Sequence, residues 1–156
     1  MKATLQTLKF PYGSAAVFIA LLLMCSQSAR AQAESVETQT AIFAGGCFWC
    51  IESDFEKLPG VLTVESGYTG GHVANPDYEQ VSGGKTGHIE SVRVTYDDAV
   101  VSYPALLDFF WHHIDPTVQN QQFCDKGNQY RSAIFYANDE QRNMIEASKA
   151  DILQSG

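Results

Sequence analysis

Gly45-Gly46-Cys47-Phe48-Trp49-Cys50 is the stretch on which the reading of this chain turns. Two glycines free the backbone, a cysteine follows, two large aromatic residues come next, and a second cysteine closes the run. Upstream, Thr40-Ala41-Ile42-Phe43-Ala44 is a short apolar run of the kind that forms a buried strand. Downstream, residues 51–58 carry Ile51, Phe55 and Leu58 at helical spacing, and Pro59-Gly60 stops the pattern. Cys47 is therefore expected where a strand turns into a helix, at or near the helix N-terminus. Free N–H groups and the positive end of the helix dipole favour an anion there, and the thiolate is the nucleophilic form of cysteine. The plain alternative is a structural cysteine buried beside two aromatic residues, because free cysteine is among the most buried residue types. The Gly-Gly approach and the Cys-x-x-Cys spacing argue for the reactive reading.

Working outward to the N-terminus, the first residues read as a targeting segment rather than fold. Lys2 and Lys9 give a basic start, and Ala15–Met24 is an unbroken apolar run of ten, too short to span a bilayer. Ala29-Arg30-Ala31 matches a small-x-small cleavage pattern, so residues 1–31 are expected to be a signal peptide, with Ala33 as the second choice of cleavage site. Cys25 raises a lipoprotein alternative, although Met24 before it is bulky. Residues 32–39 are expected to be a linker and 40–156 one domain. Removing residues 1–31 takes away three basic residues and no acid, and moves the formal charge from −8 to −11. So acidic a domain argues against nucleic acid and anionic membrane surfaces as partners. Export, to the periplasm, implies an oxidising compartment. Cys47, Cys50 and Cys124 are left, an odd number that allows exchange among three thiols.

Downstream of the opening stretch, residues 61–67 are expected to be a second strand and 68–87 a long loop rich in Gly, Asn and Pro. Residues 88–96 alternate strictly, so Glu90 shares a face with Val92 and Val94, the expected inner face. Ser102 is a candidate cap for a helix over 103–114 carrying Leu106, Leu107, Phe110 and Trp111, and Asp115-Pro116 ends it. A polar loop over 117–131, a strand over 132–136 and a last helix capped by Asn138 or Asp139 complete the order. That order, β-α-β-β-α-β plus a helix, predicts an α+β fold of the ferredoxin-like split β-α-β plan. It is a mixed, largely antiparallel sheet with helices on one face. The two long loops are expected to gather near the start of the first helix.

Glu90 beside valines is expected to have a raised pKa and to hold a proton near neutral pH, as a general acid must. Its alternative is a strand-end glutamate reaching solvent. Tyr68 and Tyr130 can supply hydroxyl donors or simply pack at the surface. Asp115 reads as a helix-end residue. A zinc site made of Cys47, Cys50, Cys124 and a histidine is a competitor, weakened because Phe48-Trp49 lacks turn-forming residues. A thioredoxin-like exchange module is another, although its motif differs between the cysteines. Haem attachment needs histidine at position 51, which is Ile. No metal is expected. Cys50, three residues after Cys47, falls on the same side of a first helical turn, which suits disulfide closure between the two.

Gly46-Cys47-Phe48-Trp49 after a strand resembles the active-site signature of the peptide methionine sulfoxide reductases of A type. Gly67-Tyr68-Thr69-Gly70-Gly71, Thr86-Gly87-His88-Ile89-Glu90 and Asp125-Lys126-Gly127-Asn128-Gln129-Tyr130-Arg131-Ser132 are similar to the family's other motifs, in the same order. The resemblance runs from about Thr40 to the end. It implies that Cys47 is the nucleophile and Glu90 the acid, that Tyr68 and Tyr130 hydrogen-bond the sulfoxide oxygen, that Phe48 and Trp49 form the pocket for the S-methyl group, and that Asp125 helps bind substrate or order its loop. It implies reduction of the S epimer of methionine sulfoxide, free or in oxidised proteins, as protein repair. The reductant is an external thioredoxin-type dithiol, and no cofactor is needed. A monomer is expected. Cys124 adjoins Asp125 and so rivals Cys50 as the thiol that resolves the oxidised Cys47. Cys50 is expected to act first, with Cys124 in a second exchange. The family continues beyond the point matching Gly156, with a further active-site segment.

Overall fold

The computed structural model describes residues 37–155; the expected signal peptide and residues 32–36 of the expected linker lie outside them. Strand β1 (Thr38–Ala44) takes in the last two linker residues, Thr38 and Gln39, which pair with Asp97 and Tyr96. Helix α1 (Phe48–Phe55) follows, then β2 (Val61–Thr69), α2 (Tyr78–Ser82), β3 (Ile89–Asp97) and α3 (Tyr103–His112). Beyond α3 come a two-residue hairpin, β4 (Gln121–Gln122) with β5 (Asp125–Lys126), a 3-10 turn (Asn128–Tyr130), β6 (Ala133–Phe135) and the long α4 (Asp139–Ser155).

The main sheet has the order β2-β3-β1-β6, and each of its three ladders is antiparallel. The expectation of a mixed sheet is corrected on this point. Strands β1 and β2 do run parallel, as a β-α-β crossover requires, but β3 inserts between them and pairs with both. Splitting the crossover in this way leaves no parallel neighbours in the sheet. The alternation read from 88–96 places Glu90, Val92 and Val94 on one face as expected, all buried. Ala41 and Phe43 of β1 and Val64 of β2 share that face, and α1 and α3 cover it with Ile51, Phe55, Leu106 and Phe110. Phe43 sits at the centre, its ring 4.9 Å from Phe55 and 5.1 Å from Phe110. The fully buried ring contributes hydrophobic free energy of a few kcal/mol.

Local chemistry sets the element ends. The Cys47 carbonyl accepts from the N–H groups of Cys50 (3.1 Å) and Ile51 (3.3 Å), so α1 starts at Phe48, three residues before the apolar periodicity becomes visible. Ser102 Oγ accepts from Ala105 N–H and Asn138 Oδ1 from Gln141 N–H, capping α3 and α4. Helix α2 lies inside the stretch expected to be loop. Asp77 and Gln80 form a reciprocal capping box around its first turn. The loop expectation also placed Tyr68 outside the sheet, whereas β2 continues to Thr69 and pairs Tyr68 directly with Glu90.

Candidate active site

The turn from β1 into α1 depends on its two glycines. Gly46 has φ +96°, a left-handed conformation unfavourable for side chains, and a Cβ there would lie 2.6 Å from Cβ of Gln122. A Cβ on Gly45 would lie 2.7 Å from Ile114. The backbone therefore runs tight against both neighbours and delivers Cys47 as the N-cap of α1, half-buried and extended at φ −58°, ψ 117°. This is the position the sequence predicted for it.

The Phe48 N–H, one of the free donors of the helix start, donates to Glu90 Oε2 at 3.0 Å. Glu90 is only 2 % exposed. Burial pushes its pKa up, the Phe48 N–H takes back part of that rise, and the Asp125 charge adds to it. The carboxyl group is thus biased toward its protonated form at the mouth of the Cys47 turn, as a proton donor has to be.

Two phenols are coupled to this acid, and a third acts on both of them. Tyr68 faces Glu90 across the β2–β3 ladder. Burial raises its pKa, and the charges of Glu90, Tyr78 and Asp77 raise it further. Tyr130, on the 3-10 turn, is raised by burial and then by Glu90, Tyr78 and Asp125, against a smaller opposing effect of its Gln129 hydrogen bond. Both phenols stay protonated donors across neutral pH. Tyr78 acts electrostatically on both, and sequence reasoning did not single it out. The signal was present in Asp77-x-x-Gln80, which starts a helix and presents Tyr78 as its first residue.

Phe48 is buried beneath these groups, with Trp49 at 5.1 Å and Tyr68 at 5.6 Å between ring centres. Trp49 and Tyr78 stack at 5.7 Å, inclined by 19°, and stand 60 % and 46 % exposed. Phe48 is thus an apolar floor, and Trp49 with Tyr78 an exposed aromatic wall.

Of the other two cysteines among the described residues, Cys50 is brought to Cys47, on the first turn of α1. The Cys50 pKa is raised by burial first, then by the neighbouring Cys47 thiol and the charges of Asp125 and Asp54. Cys124 is exposed in the turn of the β4–β5 hairpin, beside Asp125. All three are free thiols. Among the described residues no cluster of three or more His, Cys, Asp or Glu side chains is placed to hold a metal ion. Asp115 sits just beyond α3, where its carboxylate accepts from Thr117 Oγ1 and N–H; the hydroxyl bond first and the backbone bond second hold its pKa down. It stays a helix-end residue. The loop expectation holds in part: Tyr78, from the first long connection, packs on Phe48 and Trp49 at the start of α1, and Asp125, from the second, acts on Cys50 and Glu90.

The family model described as peptide methionine sulfoxide reductase matches residues 39–156. Peptide methionine sulfoxide reductase MsrA of Limosilactobacillus reuteri is 56% identical over 117 residues, 75% of this chain and 67% of that protein. The solved structure of methionine sulfoxide reductase A of Corynebacterium diphtheriae superposes with a TM-score of 0.68 at 33% identity, covering 76% of this chain and 59% of that one. Mxr1 of Saccharomyces cerevisiae in its reduced form gives 0.70 at 31% identity, covering 76% and 70%. The same yeast protein, solved in complex with Trx2, matches at 0.53 and 20% identity over 76% and 68%, a likeness of fold. The chain spans roughly three fifths to seven tenths of the length of these relatives. It belongs to the peptide methionine sulfoxide reductase family.

Proposed function

We propose that the chain reduces the S epimer of methionine sulfoxide, free or in oxidised proteins, to methionine by a thiol mechanism. The observation that carries this reading is the Glu90 carboxyl group, buried and hydrogen-bonded to Phe48 N–H, next to the half-buried Cys47. Sulfoxide reduction needs a soft nucleophile for sulfur and an acid for the departing oxygen, and these two residues supply them. The Cys47 thiolate attacks the sulfoxide sulfur while Glu90 protonates the oxygen. Tyr68, Tyr130 and Tyr78 donate to that oxygen, and the S-methyl group rests on Phe48 and Trp49. The protonated oxygen departs as water, a water molecule attacks the Cys47 sulfur, the new sulfur–sulfur bond breaks to release methionine, and Cys47 is left as a sulfenic acid, the first rung of cysteine oxidation. The Cys50 thiol then attacks the Cys47 sulfur, water departs, and a disulfide forms. An external dithiol of thioredoxin type takes up the disulfide, with Cys124 available for a second exchange. The test is an assay of each sulfoxide epimer with dithiothreitol. Turnover of the S epimer alone supports the reading, and turnover of neither epimer refutes it.

The same reading makes the chain an exported, periplasmic protein that works as a monomer. Lys2, Lys9, the apolar run Ala15–Met24 and Ala29-Arg30-Ala31 support cleavage after Ala31. A mature N-terminus at Gln32 on the protein recovered from the periplasm checks the export step, and retention of Met1 in the cytoplasm contradicts it. Light scattering of the mature protein checks its mass.

A further inference from the structure

We infer that Gln122 is a positioning residue for this reaction, clamping the Gly45–Cys47 turn to the hairpin that carries Asp125 so that Phe48 N–H stays seated on Glu90. The inference rests on the function proposed above. Gln122 is 1 % exposed, and it is a polar side chain among groups that an aliphatic residue would fill at lower desolvation cost. Its amide is committed at both ends. Oε1 accepts from Asp115 N–H at 2.9 Å, and Nε2 donates to Asp115 O at 2.7 Å and to Ser132 Oγ at 2.8 Å. One side chain therefore ties the chain after α3 to the entry of β6.

Its stem faces the catalytic turn. Cβ and Cγ of Gln122 lie 2.6 and 3.2 Å from where a Cβ on Gly46 would be, so the Gly46 backbone rests on the glutamine itself. Ile114, one residue before Asp115, closes on Gly45. The Gln122 backbone is also the cross-strand partner of Asp125, whose charge reaches Glu90, Cys50 and Tyr130. The turn that presents Cys47 and the hairpin that presents Asp125 thus share one rigid support. Fully satisfied buried polar groups give such supports a single arrangement, and a displacement of about 1 Å at a reacting centre can cost about a hundredfold in rate.

The test is Gln122→Met, which keeps the stem and removes all three hydrogen bonds, with Ser132→Ala as a milder variant that removes one. In folded Gln122→Met, kcat for the S epimer is expected to fall by about tenfold or more with little change in KM. Hydrogen exchange at the Phe48 amide is expected to accelerate relative to the core amide of Val94. The alkaline limb of the pH profile is expected to move up, because Glu90 loses the N–H that holds its pKa down. Ser132→Ala is expected to shift kcat and Phe48 exchange in the same directions by less, and it decides the matter if Gln122→Met does not fold. Wild-type kcat, wild-type limb and wild-type Phe48 exchange in a folded variant overturn the inference, since a merely structural glutamine would lower only the melting temperature. Inactivity of the wild-type protein toward both epimers refutes the functional reading instead, and Phe48 exchange still judges Gln122.

Discussion

Replacing Glu90 by Gln separates chemistry from folding at one atom. The amide has almost the shape of the carboxyl group and can still accept from Phe48 N–H, which now sits 3.0 Å from Oε2. It cannot give up a proton to the sulfoxide oxygen. Loss of a general acid costs on the order of 10²–10⁴ in rate, which corresponds to about 3–5 kcal/mol of barrier. Glu90 is 2 % exposed, so solvent protons reach the site poorly, and a loss of about 10³-fold is expected for the first turnover. The pH dependence follows from the direction of the shift. Burial raises the Glu90 pKa above its unfolded value, so the acid form persists toward neutrality and the wild-type rate falls as pH rises through that raised value. In Glu90→Gln this limb disappears. Stability moves the opposite way. The folded state penalises the charged form, so Glu90 lowers stability as pH rises above its unfolded pKa, fully so above the folded one. The variant is therefore expected to melt at a higher temperature than wild type near pH 8, with the gain gone near pH 4. Stopped single-turnover assays across pH, paired with thermal melts, check both halves. A wild-type rate with an unchanged alkaline limb refutes the role of Glu90 as the acid, whatever the melts show.

Other perturbations follow from the same geometry. Cys50→Ala is expected to let the Cys47 sulfenic acid accumulate after one turnover, read by peptide mapping; a Cys47–Cys124 bridge formed at the wild-type rate reverses the proposed order of thiols. Gly46→Ala forces a side chain into a left-handed backbone and against Gln122 at 2.6 Å. It is expected to cost about 2–4 kcal/mol in urea denaturation, and more in activity than in fold, because the strained turn carries Cys47. Tyr78→Phe removes one of three phenols and is expected to reduce kcat/KM for the S epimer by about tenfold, the worth of a hydrogen bond of about 1 kcal/mol or a little more. An unchanged kcat/KM returns Tyr78 to aromatic packing against Trp49.

Sequence periodicity carried β2 and β3 because these strands, at nine residues each, are long enough to alternate. Glu90, Val92 and Val94 could be assigned to one face before any coordinates, and the buried face is where they lie. The N-terminal position of Cys47 was legible for a similar reason, since Gly45-Gly46 between an apolar strand and a helical pattern admits few backbone paths. Three features were not legible. Helix α2 is five residues long, and its capping box is embedded among Gly70-Gly71, Asn75-Pro76 and Gly83-Gly84, which read as loop. The β4–β5 hairpin pairs two residues with two, too few for alternation to register. The third, the Gln122 clamp, joins residues 7 and 10 positions away and packs on a glycine far upstream, a relation no local pattern encodes.

The account rests most heavily on Cys47 as the atom that takes the oxidation. The direct measurement is a single turnover of a Cys50→Ala, Cys124→Ala protein with the S epimer and no external reductant, followed by mass analysis of the peptide spanning residues 41–57. One methionine formed per protein, with one added oxygen on Cys47 and none when the R epimer is supplied, is the predicted result. Methionine formed while Cys47 stays reduced, or equal oxidation by both epimers, contradicts it.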